Sequence, residues 1–272
     1  MERPKPTRLV TRGDSKWMLK IWLAVQDGNA TALENEVRKQ AERWNMTVRD
    51  ILLQVFEKKT DNTILHLAHL GQDPRAIIQY VFDTEHWNGH EMDLVAFRYA
   101  KNNKGRTPFM QVCATGPNPA YNYGVASALD AMQEYGIDHD DKCEHPFSDR
   151  DSLSAVHLAF QAQNMNTIKW LHENGRDFTL PAFTLRRSVE GRRAWPVSVA
   201  SIAVENLFAD GVKFLHEGDV KGGKELFHTQ ALMKHTSDRW KMTTPARYAS
   251  EMLRPECAIN QTLKRWRNDH RA

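Results

Sequence analysis

The sequence predicts an all-α fold made of stacked helix pairs. The stretch Ser154 to Gly175, SAVHLAFQAQNMNTIKWLHENG, carries Val156, Leu158, Ala159 and Ala162 at short helical spacing. After a break at Gln163-Asn164, Met165, Ile168, Trp170 and Leu171 repeat the pattern, so the stretch reads as two short amphipathic helices. Ser154 is placed to cap the first with its hydroxyl, and Gly175 to end the second in a left-handed conformation. Such a pair is too small to bury its own apolar surface and needs similar neighbours.

The chain supplies them. Thr63-Ile64-Leu65-His66-Leu67-Ala68 and Thr107-Pro108-Phe109-Met110-Gln111-Val112 align with Ser154-Ala155-Val156-His157-Leu158-Ala159. Trp195-Pro196-Val197-Ser198-Val199-Ala200 and Thr244-Pro245-Ala246-Arg247-Tyr248-Ala249 align more loosely. Together these segments resemble the ankyrin repeat, whose hallmark T-P-L-H-x-A opens an inner helix followed by a Gly-terminated outer helix. The resemblance implies an ankyrin-repeat solenoid of about five to six helix pairs, with inserted loops or helices and short hairpin fingers. It covers roughly Asp61 to Leu253.

In chain order, residues 1–13 read as a flexible polar leader and 14–60 as a divergent N-terminal helical cap. The cap contains one helix with Trp17, Met18, Ile21, Trp22 and Val25, a second over Ala30 to Trp44, and a short third over Val48 to Phe56. Residues 61–253 carry the repeats, and 254–272 a closing helix and basic tail. Successive signatures lie 44, 47, 41 and 49 residues apart, each longer than the family's unit of about 33 residues, so every junction holds extra chain. One insertion is placed at Gly116 to Tyr123. Another, Asp219 to His235, is expected to form a helix.

Lys and Arg number 37 against 34 Asp and Glu, a net charge of +3, so any claim of polyanion binding has to rest on local clustering. No apolar run reaches the length of a membrane span, and the first residues lack the apolar core of a signal peptide. Three scattered cysteines, Cys113, Cys143 and Cys257, make no disulfide framework. A cytoplasmic protein is expected, or, for a pathogen effector, one delivered into a host cell.

Signals for chemistry are sparse. Asp138 to His145 gathers metal-capable side chains without the spacing of a zinc or metalloprotease motif, and it reads as a solvated acidic turn. Gly222-Gly223-Lys224 lacks the full phosphate-loop frame, Cys113 has no nameable base, and no nucleophile elbow occurs. A non-enzymatic protein is therefore expected, with no cofactor and no metal. His66 and His157 occupy the signature position, where the resemblance implies hydrogen bonds to loops.

The resemblance also implies where a partner binds. In ankyrin proteins the residues before T-P form fingertips, and two residues late in each inner helix face a concave groove. Mapped onto this chain, the partner-binding candidates are Lys104 and Arg106, Arg150 and Asp151, Arg186, Arg187, Arg192 and Arg193, and Trp240 and Lys241. Groove positions are Leu70 and Gly71, Ala114 and Thr115, Gln161 and Ala162, Ile202 and Ala203, and Glu251 and Met252. The fourth finger, LRRSVEGRR, concentrates four arginines and is expected to turn at Gly191. The expected function is a protein-protein interaction module, such as an adaptor, inhibitor or effector, gripping a partner with an acidic segment. The alternative is a nucleic-acid-binding solenoid using the same arginines and Lys264-Arg265-Trp266-Arg267.

Overall fold

The computed structural model describes residues 15–57, 60–117, 122–137, 153–180, 182–188, 191–218, 220–236, 239–254 and 256–269. The chain divides into two compact units, Met1–Asp141 and Lys142–Ala272.

The first unit contains α1 (Ser15–Gln26), α2 (Ala30–Trp44), α3 (Val48–Gln54), α4 (Ile64–Leu67), α5 (Pro74–Val81), α6 (Thr84–Trp87), α7 (Glu91–Arg98), α8 (Pro108–Cys113) and α9 (Asn122–Glu134). A short 3-10 turn, Ala68–Leu70, extends α4. The first helices of successive pairs, α1, α4 and α8, pack on one another in order, and so do the second helices, α2, α5 and α9. That order is what stacked repeats require, since each pair covers apolar surface its neighbour cannot hide. Ile21, Val25, Leu33, Ile64, Leu65, Ile77, Ile78, Phe109 and Leu129 are buried between the layers. Each is worth about 1.5–3 kcal/mol of transfer free energy for a fully buried large aliphatic or aromatic side chain.

Local signals set the helix ends. Asn29, Thr47, Asp73 and Thr107 each cap a helix by accepting a backbone N–H with the side chain. Pro74 and Pro108 occupy first-turn positions, where no amide hydrogen is needed. Gly28, at φ +65, joins α1 to α2, and a Cβ there would lie 2.1 Å from the backbone nitrogen of Asp73. Extra chain between α5 and α8 forms α6 and α7, held down by Trp87, whose Nε1 donates to the Val81 carbonyl at 2.7 Å.

The second unit contains α10 (Ala155–Gln161), α11 (Met165–Glu173), β1 (Ala182–Ser188), β2 (Gly191–Val197), α12 (Val199–Glu205), α13 (Ala209–Glu217), β3 (Ala231–Thr236), β4 (Arg239–Thr243), α14 (Pro245–Met252) and α15 (Ala258–Asp269). The same layering recurs: α10, α12 and α14 follow one another, and α13 packs on α15. Phe160, Phe178, Phe208 and Phe214 form an aromatic cluster with ring centroids about 6 Å apart, in edge-to-face and tilted contacts. Gly175, at φ +70, ends the second helix of the first pair as expected, with the Arg176 N–H returning to the Leu171 carbonyl. With three pairs in each unit among the described residues, the all-α expectation and its pair number hold.

Four local expectations are corrected. Residues 219–235 do not make a helix; the described part holds a 3-10 turn, Glu225–Phe227, and then strand β3. ALMKHT, an apolar triplet followed by a polar one, carries no period-2 signal of its own and becomes a strand by pairing with RWKMT in one hairpin. Gly191 is not the turn of the fourth finger but the first residue of β2, paired with Ser188. The Ser154 hydroxyl does not cap an amide, because it bonds Nδ1 of His157 at 2.7 Å instead. Finally, the fourth signature begins at Ser198 and not Trp195.

Ser198 is the N-cap of α12, and its Oγ accepts from the Ser201 N–H at 3.2 Å while Ser201 Oγ accepts from the Ser198 N–H at 3.0 Å. Trp195 and Pro196 lie within β2. Counted from the real caps Thr63, Thr107, Ser154, Ser198 and Thr244, the spacings become 44, 47, 44 and 46 residues, a more regular repeat than the sequence alignment produced.

Candidate partner-binding surface

In the first unit the loops before α4 and α8 are tied to each other and to the helix that follows. Asn102 is buried; its Oδ1 accepts from the N–H groups of Lys104 and Arg106 at 3.0 and 3.1 Å, and its Nδ2 donates to Asn62 Oδ1 at 2.8 Å. The Asn103 N–H donates to the Thr60 carbonyl at 2.8 Å, and Gly105, at φ +74, completes a tight turn over residues 102–106.

Below this turn sits His66, fully buried. The Thr63 N–H donates to its Nδ1 at 3.1 Å, so that nitrogen is the acceptor, and the proton is on Nε2, which donates to the Arg106 carbonyl at 2.9 Å. One ring thus closes its own helix and holds the finger of the next pair. This is the ankyrin-repeat fold. The helix-pair layering, the Thr-His start and the His-to-finger bond together make the architecture.

No protein-family profile and no curated protein matches the chain. Solved structures do match. One is the ankyrin repeat domain of Bcl-3, described as a unique member of the IkappaB protein family, at 17% identity over 90% of this chain and 85% of that one, with a TM-score of 0.49.

A second histidine makes an ankyrin cross-tie that the sequence reading did not anticipate. His69 Nε2 lies in hydrogen-bond contact, at 2.9 Å, with Thr115 Oγ1, which also lies 3.2 Å from the Gln111 carbonyl. Burial pulls the pKa of His69 down to about 4, and that of His157, bonded to Ser154, to about 4 as well.

The structure separates the ankyrin finger candidates. Lys104 is exposed on the 102–106 turn. Arg106 is half-buried, its Nη1 3.4 Å from Gln111 Oε1, and burial pulls its guanidinium pKa down from the ordinary value. Arg150 and Asp151, like the Asp138 to His145 segment, lie outside the described residues. In the second unit the fingers are full β-hairpins.

β1 and β2 form an uninterrupted antiparallel ladder that pairs Arg186 with Arg193 and Arg187 with Arg192. β3 and β4 form another, with Trp240 opposite Lys234 and Lys241 opposite Met233, and an irregularity between Lys234 and Thr236. β2 runs beside β3 with no ladder between them. The four strands, AFTLRRS, GRRAWPV, ALMKHT and RWKMT, hold seven Lys and Arg and not one Asp or Glu. Lys234 and Arg239 therefore join the candidates; the reading of 219–235 as helix concealed Lys234, and Arg239 lies one residue before the expected fingertip Trp240.

Moving the fourth signature to Ser198 also moves its groove positions. Ile202 and Ala203 become Glu205 and Asn206, and Ala203 is buried, so it is no groove residue. Among the others, Gln161, Glu251 and Met252 are exposed, Leu70, Ala114, Thr115 and Ala162 are half-buried, and Gly71 is buried. A cleft of about 380 Å³ in the first unit is lined by Arg38, Arg49, His86 and His90 among others. Arg38 and Arg49 are already paired with Glu34 and Asp50, so the cleft offers no net positive charge to a ligand.

Proposed function

We propose that the protein is a non-enzymatic interaction module that binds an acidic segment of a partner protein through the hairpins of its second unit. The observation that carries this reading is the register that sets Arg186 opposite Arg193 and Arg187 opposite Arg192. Like charges directly opposite each other destabilise a ladder. Two such pairs in succession, on strands without a single acid, cost the hairpin stability and make sense when a ligand supplies the missing negative charge. Arginine serves this role well, since its planar fork pairs with carboxylates through two parallel hydrogen bonds. The exposed inner-helix residues Gln161 and Met252 of the same unit would meet the less charged parts of the partner.

Affinity capture from a lysate with the full chain and with Arg192→Glu/Arg193→Glu tests this. Proteins recovered by the natural sequence should be lost from the double variant. Equal recovery by both would remove the basic hairpin as the binding site. Recovery dominated by nucleic acid, with affinity collapsing as salt rises, would instead support the phosphate-binding alternative.

A further inference from the structure

We infer that the partner's acidic segment is bound as an added β-strand along the edge of β1 that no described residue pairs with. This deepens the reading above and rests on it. Two residues, Val189 and Glu190, connect Ser188 to Gly191, and a connection of that length closes on a hydrogen-bonded pair. By alternation, the pairs Arg186 with Arg193, Thr184 with Trp195 and Ala182 with Val197 exchange hydrogen bonds across the hairpin. Pro196, which has no N–H, then falls opposite Phe183 in a pair that needs none, which is where a proline is tolerated. The same alternation turns the backbone N–H and C=O groups of Phe183, Leu185 and Arg187 away from β2. Among the described residues, β1 pairs with β2 alone.

An edge of this kind is a template for another strand, which natural proteins usually blunt with proline, bulges or short length. β1 has none of these: it is seven residues long, regular in register and free of proline, and its blunting device is charge, Arg186 and Arg187, which repels another cationic strand but not an acidic one. β4 is a poorer template, five residues long and paired to an irregular strand. Self-association along the β1 edge would place arginine-rich strands together, so charge disfavours a second copy. It favours an extended segment with acidic residues. Main-chain bonds would give register and affinity, and the seven cations of the two hairpins would select for the negative charge.

The test uses the full chain and a capped heptapeptide alternating Glu with Thr or Val. Binding should protect the amides of Phe183, Leu185 and Arg187 from hydrogen exchange. N-methylation of every second peptide amide, which preserves charge and removes donors, should weaken binding by about tenfold or more, the worth of one or two hydrogen bonds. Leu185→Pro, which removes an outward N–H and leaves the β1–β2 ladder its bonds, should weaken the unmodified peptide similarly without changing the unfolding midpoint.

Equal binding of the methylated and unmethylated peptides would overturn strand addition while leaving the basic hairpin as a charge-reading site. A single-stranded oligonucleotide of the same charge that binds more tightly and displaces the peptide would overturn the choice of ligand. If partner capture itself is unaffected by Arg192→Glu/Arg193→Glu, the underlying function fails and the strand proposal fails with it.

Discussion

The Nε2–H of His66 donates to the carbonyl of Arg106, forty residues further along the chain, at 2.9 Å, while its Nδ1 accepts the N–H of Thr63. The imidazole is neutral, of a single tautomer and fully buried. Its removal orphans one donor and one acceptor and leaves a cavity. His66→Ala should cost roughly 3–5 kcal/mol, combining unsatisfied polar groups with lost core volume. Urea unfolding followed by circular dichroism measures it, and a loss below about 1 kcal/mol would show that the tie is ornamental.

Buried histidines also set an acid limit. His69 and His157 titrate near pH 4 in the folded protein against 6.5 when exposed. Between these values the unfolded chain binds protons that the native chain refuses, so stability is complete above pH 6.5 and falls as the pH drops toward 4. Each histidine contributes on the order of 3 kcal/mol to that loss. Unfolding midpoints between pH 7 and 4 should decline, and His157→Gln should flatten the decline; an unchanged slope would contradict the assignment.

Gly28 is held by close approach as well as by its left-handed φ of +65, since a Cβ would sit 2.1 Å from the Asp73 nitrogen. Gly28→Ala should destabilise the first unit by about 2–3 kcal/mol, the sum of a strained backbone and a displaced neighbour. Leu207 occupies the corresponding turn of the second unit at φ +54, with its side chain 58% exposed. Leu207→Asn should therefore raise stability, by about 0.5–1 kcal/mol. Thermal melts of the two variants should move in opposite directions.

The opposed arginines predict a separation of stability from binding. Arg186→Glu converts one like-charge cross-strand pair into an opposite-charge pair with Arg193, which should stabilise the hairpin by about 0.2–1 kcal/mol while weakening partner capture. Hydrogen exchange of β1 and β2 amides reports the first effect and capture the second. Loss of both stability and binding would mean that the arginines serve the fold.

The stacked pairs were legible in the sequence because caps, prolines and helical periodicity act over a few residues: Pro74, Thr107, Pro108 and Gly175 all do what their types suggest. The fourth repeat was misplaced because Trp195-Pro196 imitates the signature dipeptide three residues before the real cap, Ser198, whose partner is the unremarkable Ser201. The finger at Trp240 and Lys241 was expected, but β3 was read as helix, since it is short and is stabilised by its cross-strand partner, which local pattern does not reveal. The arginines were picked out as cations, but their pairing is a property of register. The His69–Thr115 bond joins residues 46 apart and left no local trace.

If the hairpins of the second unit are the binding surface, a bound partner must cover them. Hydroxyl-radical footprinting of the full chain, alone and with a captured partner, tests it most directly, because the hairpins carry the oxidisable residues Phe183, Trp195, Trp240 and Met242. Protection should concentrate at these four positions in the complex. Protection confined to the first unit, with the four hairpin residues oxidised as in the free protein, would contradict it.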